Sequence, residues 1–188
     1  MSTRYSVGQM NQLGDAFEAA DFTVDEVTKL RTFPDLAALK GVLKGLAKIV
    51  VVKHIIDCDA DSFVPENWKV ESHKKCGQLE WNPESISLYL SAGQKDGKCI
   101  EGNKLREELA SKPVLNANVL DYLLAHPELI PEEWKGKYVF FWGTIYRGPD
   151  GDLDVRDLYW GGGGWYWDYR WLGPGFGDDF PAALSASI

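Results

Sequence analysis

Between Trp160 and Trp171 the chain places four of its eight tryptophans among glycines. The order is Trp160, Gly161-Gly162-Gly163-Gly164, then Trp165-Tyr166-Trp167-Asp168-Tyr169-Arg170-Trp171. No other stretch constrains the fold as much. Alternate residues of a strand point to opposite faces, so Trp165, Trp167 and Trp171 share one face and Tyr166, Asp168 and Arg170 the other. Indoles of that bulk call for a core beneath them. Four consecutive glycines call for a loop, because each glycine loses more freedom on ordering than any other residue.

The residues before this stretch read as its sheet. Tyr138-Val139-Phe140-Phe141-Trp142-Gly143-Thr144-Ile145-Tyr146 is a strand pattern, Pro149-Asp150-Gly151-Asp152 a turn, and Asp154 to Trp160 the returning strand. Trp165 to Leu172 is a further strand. Upstream, Ser85 to Leu90 alternates with period two, and Lys95-Asp96-Gly97 turns after it. Asn103 is placed to cap a helix carrying Leu105 and Leu109, stopped by Pro113. Asn116 or Asn118 starts a second helix through Val119, Leu120, Leu123 and Leu124, closed at His126-Pro127. Residues 57–78 are polar and read as loop.

The first fifty residues have a different pattern. Thr23 and Glu26 make a capping box for a helix with Val24, Val27 and Leu30. Phe33-Pro34-Asp35 ends it and opens the next, where Leu36, Leu39, Val42, Leu43 and Leu46 recur at helical spacing. Lys40, Lys44 and Lys48 form one stripe on that helix. Ile49 to Ile56 is a β-branched run that predicts a strand entering a second domain. The expected division is a helical segment over 1–50 and an α+β domain over 51–188.

Charge limits the partners. The net charge is −8, with seven Lys/Arg against six Asp/Glu in residues 1–55 and thirteen against twenty-two in 56–188. Duplex nucleic acid needs a basic face, and after Lys137 only Arg147, Arg156 and Arg170 are cationic. The lysine stripe leaves a helix-turn-helix unit conceivable, but a helical appendage or oligomerisation element is the plainer reading. Three cysteines, Cys58, Cys76 and Cys99, suggest free thiols rather than a disulfide framework. Met1 to Tyr5 lacks an apolar leader core, and the apolar run at 49–56 is broken by Lys53 and His54 and is too short to cross a bilayer. The expectation is no membrane span and a cytoplasmic location by default, with surface display left open.

Chemical motifs are sparse. Asp57-x-Asp59-x-Asp61 opens like a calcium loop, yet its sixth and twelfth positions are Ser62 and Trp68 rather than glycine and glutamate. Asp150, Asp152 and Asp154 are residues that hairpin turns favour anyway. His73-x-x-Cys76 is half a zinc motif without a second pair. No nucleophile elbow, Walker sequence or dinucleotide fingerprint occurs, and His54, His73 and His126 stand in unrelated contexts. The sequence therefore predicts a non-enzymatic chain with no cofactor and no metal.

The tail resembles the variable proteins of prokaryotic diversity-generating retroelements. In that family a reverse transcriptase copies a template with errors at adenines, and the copy replaces the 3′ end of the target gene. An asparagine codon so treated yields anything except Lys, Glu, Gln, Met, Trp or a stop, and the tryptophan codon contains no adenine. Gly161 to Phe180 contains no Lys, Glu, Gln or Met. Gly161, Gly163, Gly164, Tyr166, Asp168, Arg170, Gly173, Gly175, Phe176, Gly177, Asp178 and Phe180 are all permitted products of such a codon. The resemblance implies a C-type-lectin-like domain of two helices and a twisted antiparallel sheet over roughly 56–188, with a variable region at about 157–181 and a constant end at Pro181-Ala182-Ala183-Leu184.

The roles it implies follow from that division. Trp160, Trp165, Trp167 and Trp171 would be the fixed scaffold and the twelve permitted positions the ligand-binding surface. Tyr166, Tyr169, Phe176 and Phe180 would supply aromatic contact area, and Asp168, Arg170, Asp178 and Asp179 polar selectivity. The partner would be a variable macromolecular ligand, above all a protein. Two alternatives remain open at this point. A carbohydrate-binding module would use the tail aromatics as a sugar platform. An enzyme of the formylglycine-generating type would need paired cysteines or a metal near the tail, and no cysteine lies beyond Cys99.

Overall fold

The computed structural model describes residues 4–33, 36–173 and 175–186. It divides the chain into two compact units, Met1–Val52 and Lys53–Ile188.

In the first unit α1 spans Val7–Ala19, α2 Val24–Leu30 and α3 Leu39–Leu43. Local chemistry sets the starts of the first two. Ser6 and Gln9 cap α1 reciprocally, as Thr23 and Glu26 cap α2. No residue of the three helices is buried, although the Phe17 and Phe22 rings meet at 5.2 Å. The helix expected through Leu46 is shorter: a single 3-10 turn at Leu36–Ala38 leads into α3, and Gly45, at φ +69°, terminates it. Pro34 and Asp35 lie outside the described residues. The strand expected over 49–56 is also corrected. Only Ile55–Asp57 (β1) forms, while Ile49 to Val52 are exposed and pair with no strand among the described residues. β-branched residues favour a strand only where a neighbour accepts their hydrogen bonds and covers their side chains.

The second unit is mixed α and β. Its strands are β1, β2 (Lys69–His73), β3 (Gln78–Glu80), β4 (Ile86–Tyr89) and β5 (Ile100–Glu101). Helices α4 (Gly102–Leu109) and α5 (Ala117–Ala125) follow. The chain ends on β6 (Tyr138–Arg147), β7 (Leu153–Gly161), β8 (Gly164–Trp171), β9 (Gly175–Phe176) and β10 (Ala182–Ser185). The main sheet runs β4-β10-β6-β7-β8, with β2 also pairing β6. β6 is long enough to take β10 in parallel near Phe140 and β2 antiparallel from Thr144 to Arg147. β2 was hidden in the polar stretch 57–78, because four of its five residues are exposed and carry no apolar alternation.

Both faces of this sheet are covered. Val139, Phe141 and Leu158 meet Val119, Leu120 and Leu123 of α5 on one side. Phe140, Trp142 and Val155 meet Leu105 and Leu109 of α4 on the other, together with Leu172 and Phe176. Burial on both faces explains why β6 reads as a continuous apolar run rather than an alternating one. Asn116 caps α5 and its Nδ2 donates to the Cys58 and Lys74 carbonyls, so one buried amide starts the helix and pins two loops. Asn103 does not cap α4. The N-cap is Glu101 without a side-chain bond, and Asn103 instead donates its backbone N–H to the Leu172 carbonyl.

Candidate ligand-binding surface

β7 and β8 form a hairpin paired from Asp154↔Trp171 to Gly161↔Gly164. The two residues left at its tip, Gly162 and Gly163, both have positive φ, +58° and +90°. That is the backbone of a type I′ turn, which matches strand twist and admits glycine, asparagine or aspartate. The glycine run is therefore a tight turn with one glycine of each strand beside it. Trp160 and Trp165 face each other just below, their rings 5.4 Å apart at 71°, and Lys135 Nζ lies 4.0 Å over the Trp160 ring.

The indole face is anchored through a buried charge. Trp165 and Trp167 are half-buried against the α5-side core. Trp167 lies opposite Leu158, and the Arg156 guanidinium sits 4.2 Å over its ring. Arg156 is 1% exposed and grips Asp121 of α5 with two hydrogen bonds of 2.8 and 3.2 Å. Phe63 closes the stack edge-on to Trp167 at 6.0 Å. A buried guanidinium needs such a bidentate partner to offset its desolvation. Trp171 departs from the expected scaffold: it is 50% exposed and its side chain joins neither core. It shares parity with Trp165 and Trp167, but it sits at the open end of the hairpin, opposite Asp154. Tyr169, on the same face, is exposed and packs on Trp68 at 4.5 Å.

The opposite face carries the expected contact residues, and they divide. Tyr166 is 50% exposed, Asp168 and Gly163 are exposed, and Gly161 and Gly164 are half-buried at the tip. Asp178 is exposed on the returning chain. Phe176 is corrected: it is wholly buried, stacked among Phe140, Trp142 and Phe180. Gly175 backs onto Cys99, where an added Cβ would come within 2.8 Å of the Cys99 Cβ. Gly177 is buried, and its carbonyl and that of half-buried Phe180 both accept from the Gln94 amide at 2.9 Å. Gly173 lies under the Trp171 ring, which an added Cβ would strike. Arg170 is half-buried, its guanidinium 4.5 Å from the Phe180 ring, with Nη2 donating to the Gly175 carbonyl at 2.9 Å.

Asp157 carries no signal legible in the sequence alone. It lies opposite Asp168 on this face, is 3% exposed, and its Oδ2 has no hydrogen-bond partner among the described residues. Burial pushes its carboxyl up to about 7, and the Asp168 charge adds to that, while Arg170 and Arg156 pull the other way. It lines a cavity of about 300 Å³ with Tyr138, Phe140, Asp168, Arg170, Asp179 and Phe180. On the indole-side register Asp154 is raised to about 6, by burial and then by Asp150 and Asp152.

The acidic turn near Asp57 is occupied by its own backbone: Asp57 Oδ1 accepts from the Asp59 N–H and Asp59 Oδ1 from the Gly77 N–H. His73 is held between the Thr144 hydroxyl and the Cys58 carbonyl. Among the described residues no group of three His, Cys, Asp or Glu side chains is placed to hold a metal, and no helix is long and apolar enough to cross a membrane. No protein-family profile, curated protein or solved structure matches the chain.

Proposed function

We propose that this chain is a non-enzymatic ligand-binding protein. In this reading its second unit is a C-type-lectin-like scaffold that displays a hypervariable surface diversified by adenine-directed retroelement mutagenesis. The observation that carries the reading is the separation of roles across β8. Trp165 and Trp167 brace the strand against the core through Leu158 and Arg156, while Tyr166 and Asp168, one residue away in each case, face outward. Side chains in solvent exchange at little cost, and Tyr166 has only the Tyr159 ring beside it, at 6.0 Å, among the ring contacts of the described residues, whereas the indoles beneath are packed into the core. The display surface is smaller than the residue-type rule alone implies. It comprises Gly161, Gly163, Gly164, Tyr166, Asp168 and Asp178, with Tyr169 and Trp171 exposed beside them.

A surface of tyrosine, glycine and aspartate resembles the adaptable loops of antibody paratopes, in which rigid aromatics give contact area and small residues give fit. That favours a protein ligand. A sugar platform needs indoles presented flat to solvent. Trp160, Trp165 and Trp167 are half-buried, and the first two cross at 71°.

The test is a library randomised at Tyr166, Asp168, Gly161, Gly164 and Asp178, displayed on yeast and panned against unrelated proteins. Most members should fold, and binders should emerge for several targets. A library that is largely unfolded, or that yields no binder, removes the reading. Its genetic half is tested by the neighbouring DNA: a near-copy of the segment encoding 157–181, altered at adenines and beside a reverse transcriptase gene, is the expected find.

A further inference from the structure

We propose that the cavity beside β8 is a subsite for one organic cation, the ammonium or guanidinium of a lysine or arginine side chain offered by the partner; this rests on the display reading above. Asp157 is the key group. It is fixed by β7 rather than carried on the display strand, it is all but sealed from solvent, and its Oδ2 has no hydrogen-bond partner among the described residues. A buried carboxylate left unpaired is costly, and a cation brought to it relieves that cost. The resident cation does so only in part, by attraction without a hydrogen bond. Arg170 spends Nη2 on the Gly175 carbonyl and lays its guanidinium over Phe176 and Phe180, and no ion pair joins it to Asp157 among the described residues.

The walls suit the same guest. Asp168 stands opposite Asp157 in the register and Asp179 lines the cavity too, so three carboxylates face one guanidinium. The Tyr138 and Phe180 rings meet edge to face at 5.5 Å, and aromatic surface of that kind favours a desolvated cation. A volume of about 300 Å³ is at the small end for ligand pockets and has room for one long cationic side chain.

Proton linkage gives the site a signature. The groups acting on Asp157 are Asp168, which raises its affinity for a proton, Arg170 and, from the other face of β7, Arg156, which lower it, with Asp179 and Tyr138 across the cavity. With its carboxyl near 7, Asp157 is largely protonated at lower pH and must release that proton to hold a cation. Affinity then rises about tenfold from about pH 6 to about pH 8.

The experiment is an NMR titration of the full chain with n-butylammonium chloride and, separately, ethylguanidinium chloride, against sodium chloride at equal ionic strength. Saturable shifts at the Asp157 and Asp168 amides, rising in affinity with pH, are expected for at least one of the two cations. Asp157→Asn should abolish saturation and its pH dependence while keeping a folded spectrum. Should that variant not fold, Asp168→Asn, at an exposed position, should weaken binding about threefold. Shifts no larger than with sodium chloride, saturation undiminished in these variants, or an affinity flat with pH would overturn the proposal. The two readings fail separately. A library that yields binders while neither cation saturates the site removes the subsite alone; a library without binders removes the display reading whatever the cations do.

Discussion

The permitted positions within 161–168 and those within 173–180 lie in one segment, obey one residue-type rule, and meet largely different fates in the fold. The first stretch turns at Gly162 and Gly163 and leaves Tyr166 and Asp168 in solvent. The second runs back under α4, buries Phe176, sets Gly175 against Cys99 and hangs Gly177 and Phe180 on the Gln94 amide. Codon-level permission therefore says which residues could stand at a site. Burial says which exchanges the fold survives. On that basis the hairpin and the exposed Asp178 are the parts suited to display, and the rest of the returning chain belongs to the scaffold as much as the tryptophans do.

The comparison breaks most visibly if the scaffold proves soft. Trp167→Ala should cost about 3–5 kcal/mol in urea unfolding, because it opens a cavity on the α5-side core and bares the buried Arg156 guanidinium. In the returning chain, Gly175→Val should cost about 1–3 kcal/mol by overpacking. The clash is with the Cys99 Cβ, so adding Cys99→Gly should recover part of that loss. A full-strength loss in the double variant would place the strain elsewhere.

A subtler contrast lies in pH. The Asp157 carboxyl is held at about 7 in the fold against an ordinary value of 3.8, so the folded chain binds a proton the unfolded chain releases. The stability this contributes is full below about pH 4 and is lost as pH rises through about 7. Asp157→Asn should flatten that decline and melt no lower than the parent chain at about pH 8. A residual slope should remain up to about pH 6 from Asp154, which is shifted in the same direction. A melting temperature in the variant that falls with pH as steeply as in the parent would exclude Asp157 as the source. The smallest effect belongs to the open face, where Asp168→Asn should change stability by no more than ~0.5 kcal/mol.

Much of the fold was legible in the sequence where its signals are local. Thr23 with Glu26, Asn116 and the Asp150-Gly151 turn act through neighbouring backbone, so they mark their elements before any tertiary contact exists. What was not legible depends on partners distant in the chain. The β-branched run at 49–52 has no strand to pair with among the described residues, and β2 pairs with β6 through mostly polar, exposed residues. Strand parity placed Trp171 with Trp165 and Trp167, but parity does not say where the core beneath ends. The roles of Arg156 and Asp157 were not legible for a similar reason. Adjacent charges in a strand look solvent-exposed until helix α5 brings Asp121 to one and the returning chain covers the other.

The account stands or falls on whether exposure, rather than residue type, divides the tail. Tyr166 and Phe176 are both aromatic, both permitted by the same codon rule, and stand ten residues apart in the chain. Urea unfolding of Tyr166→Ser and Phe176→Ser, measured side by side, addresses this directly. Tyr166→Ser should leave stability within ~0.5 kcal/mol of the parent chain, and Phe176→Ser should lose about 3–5 kcal/mol. Equal losses at the two positions would contradict the division of display from scaffold.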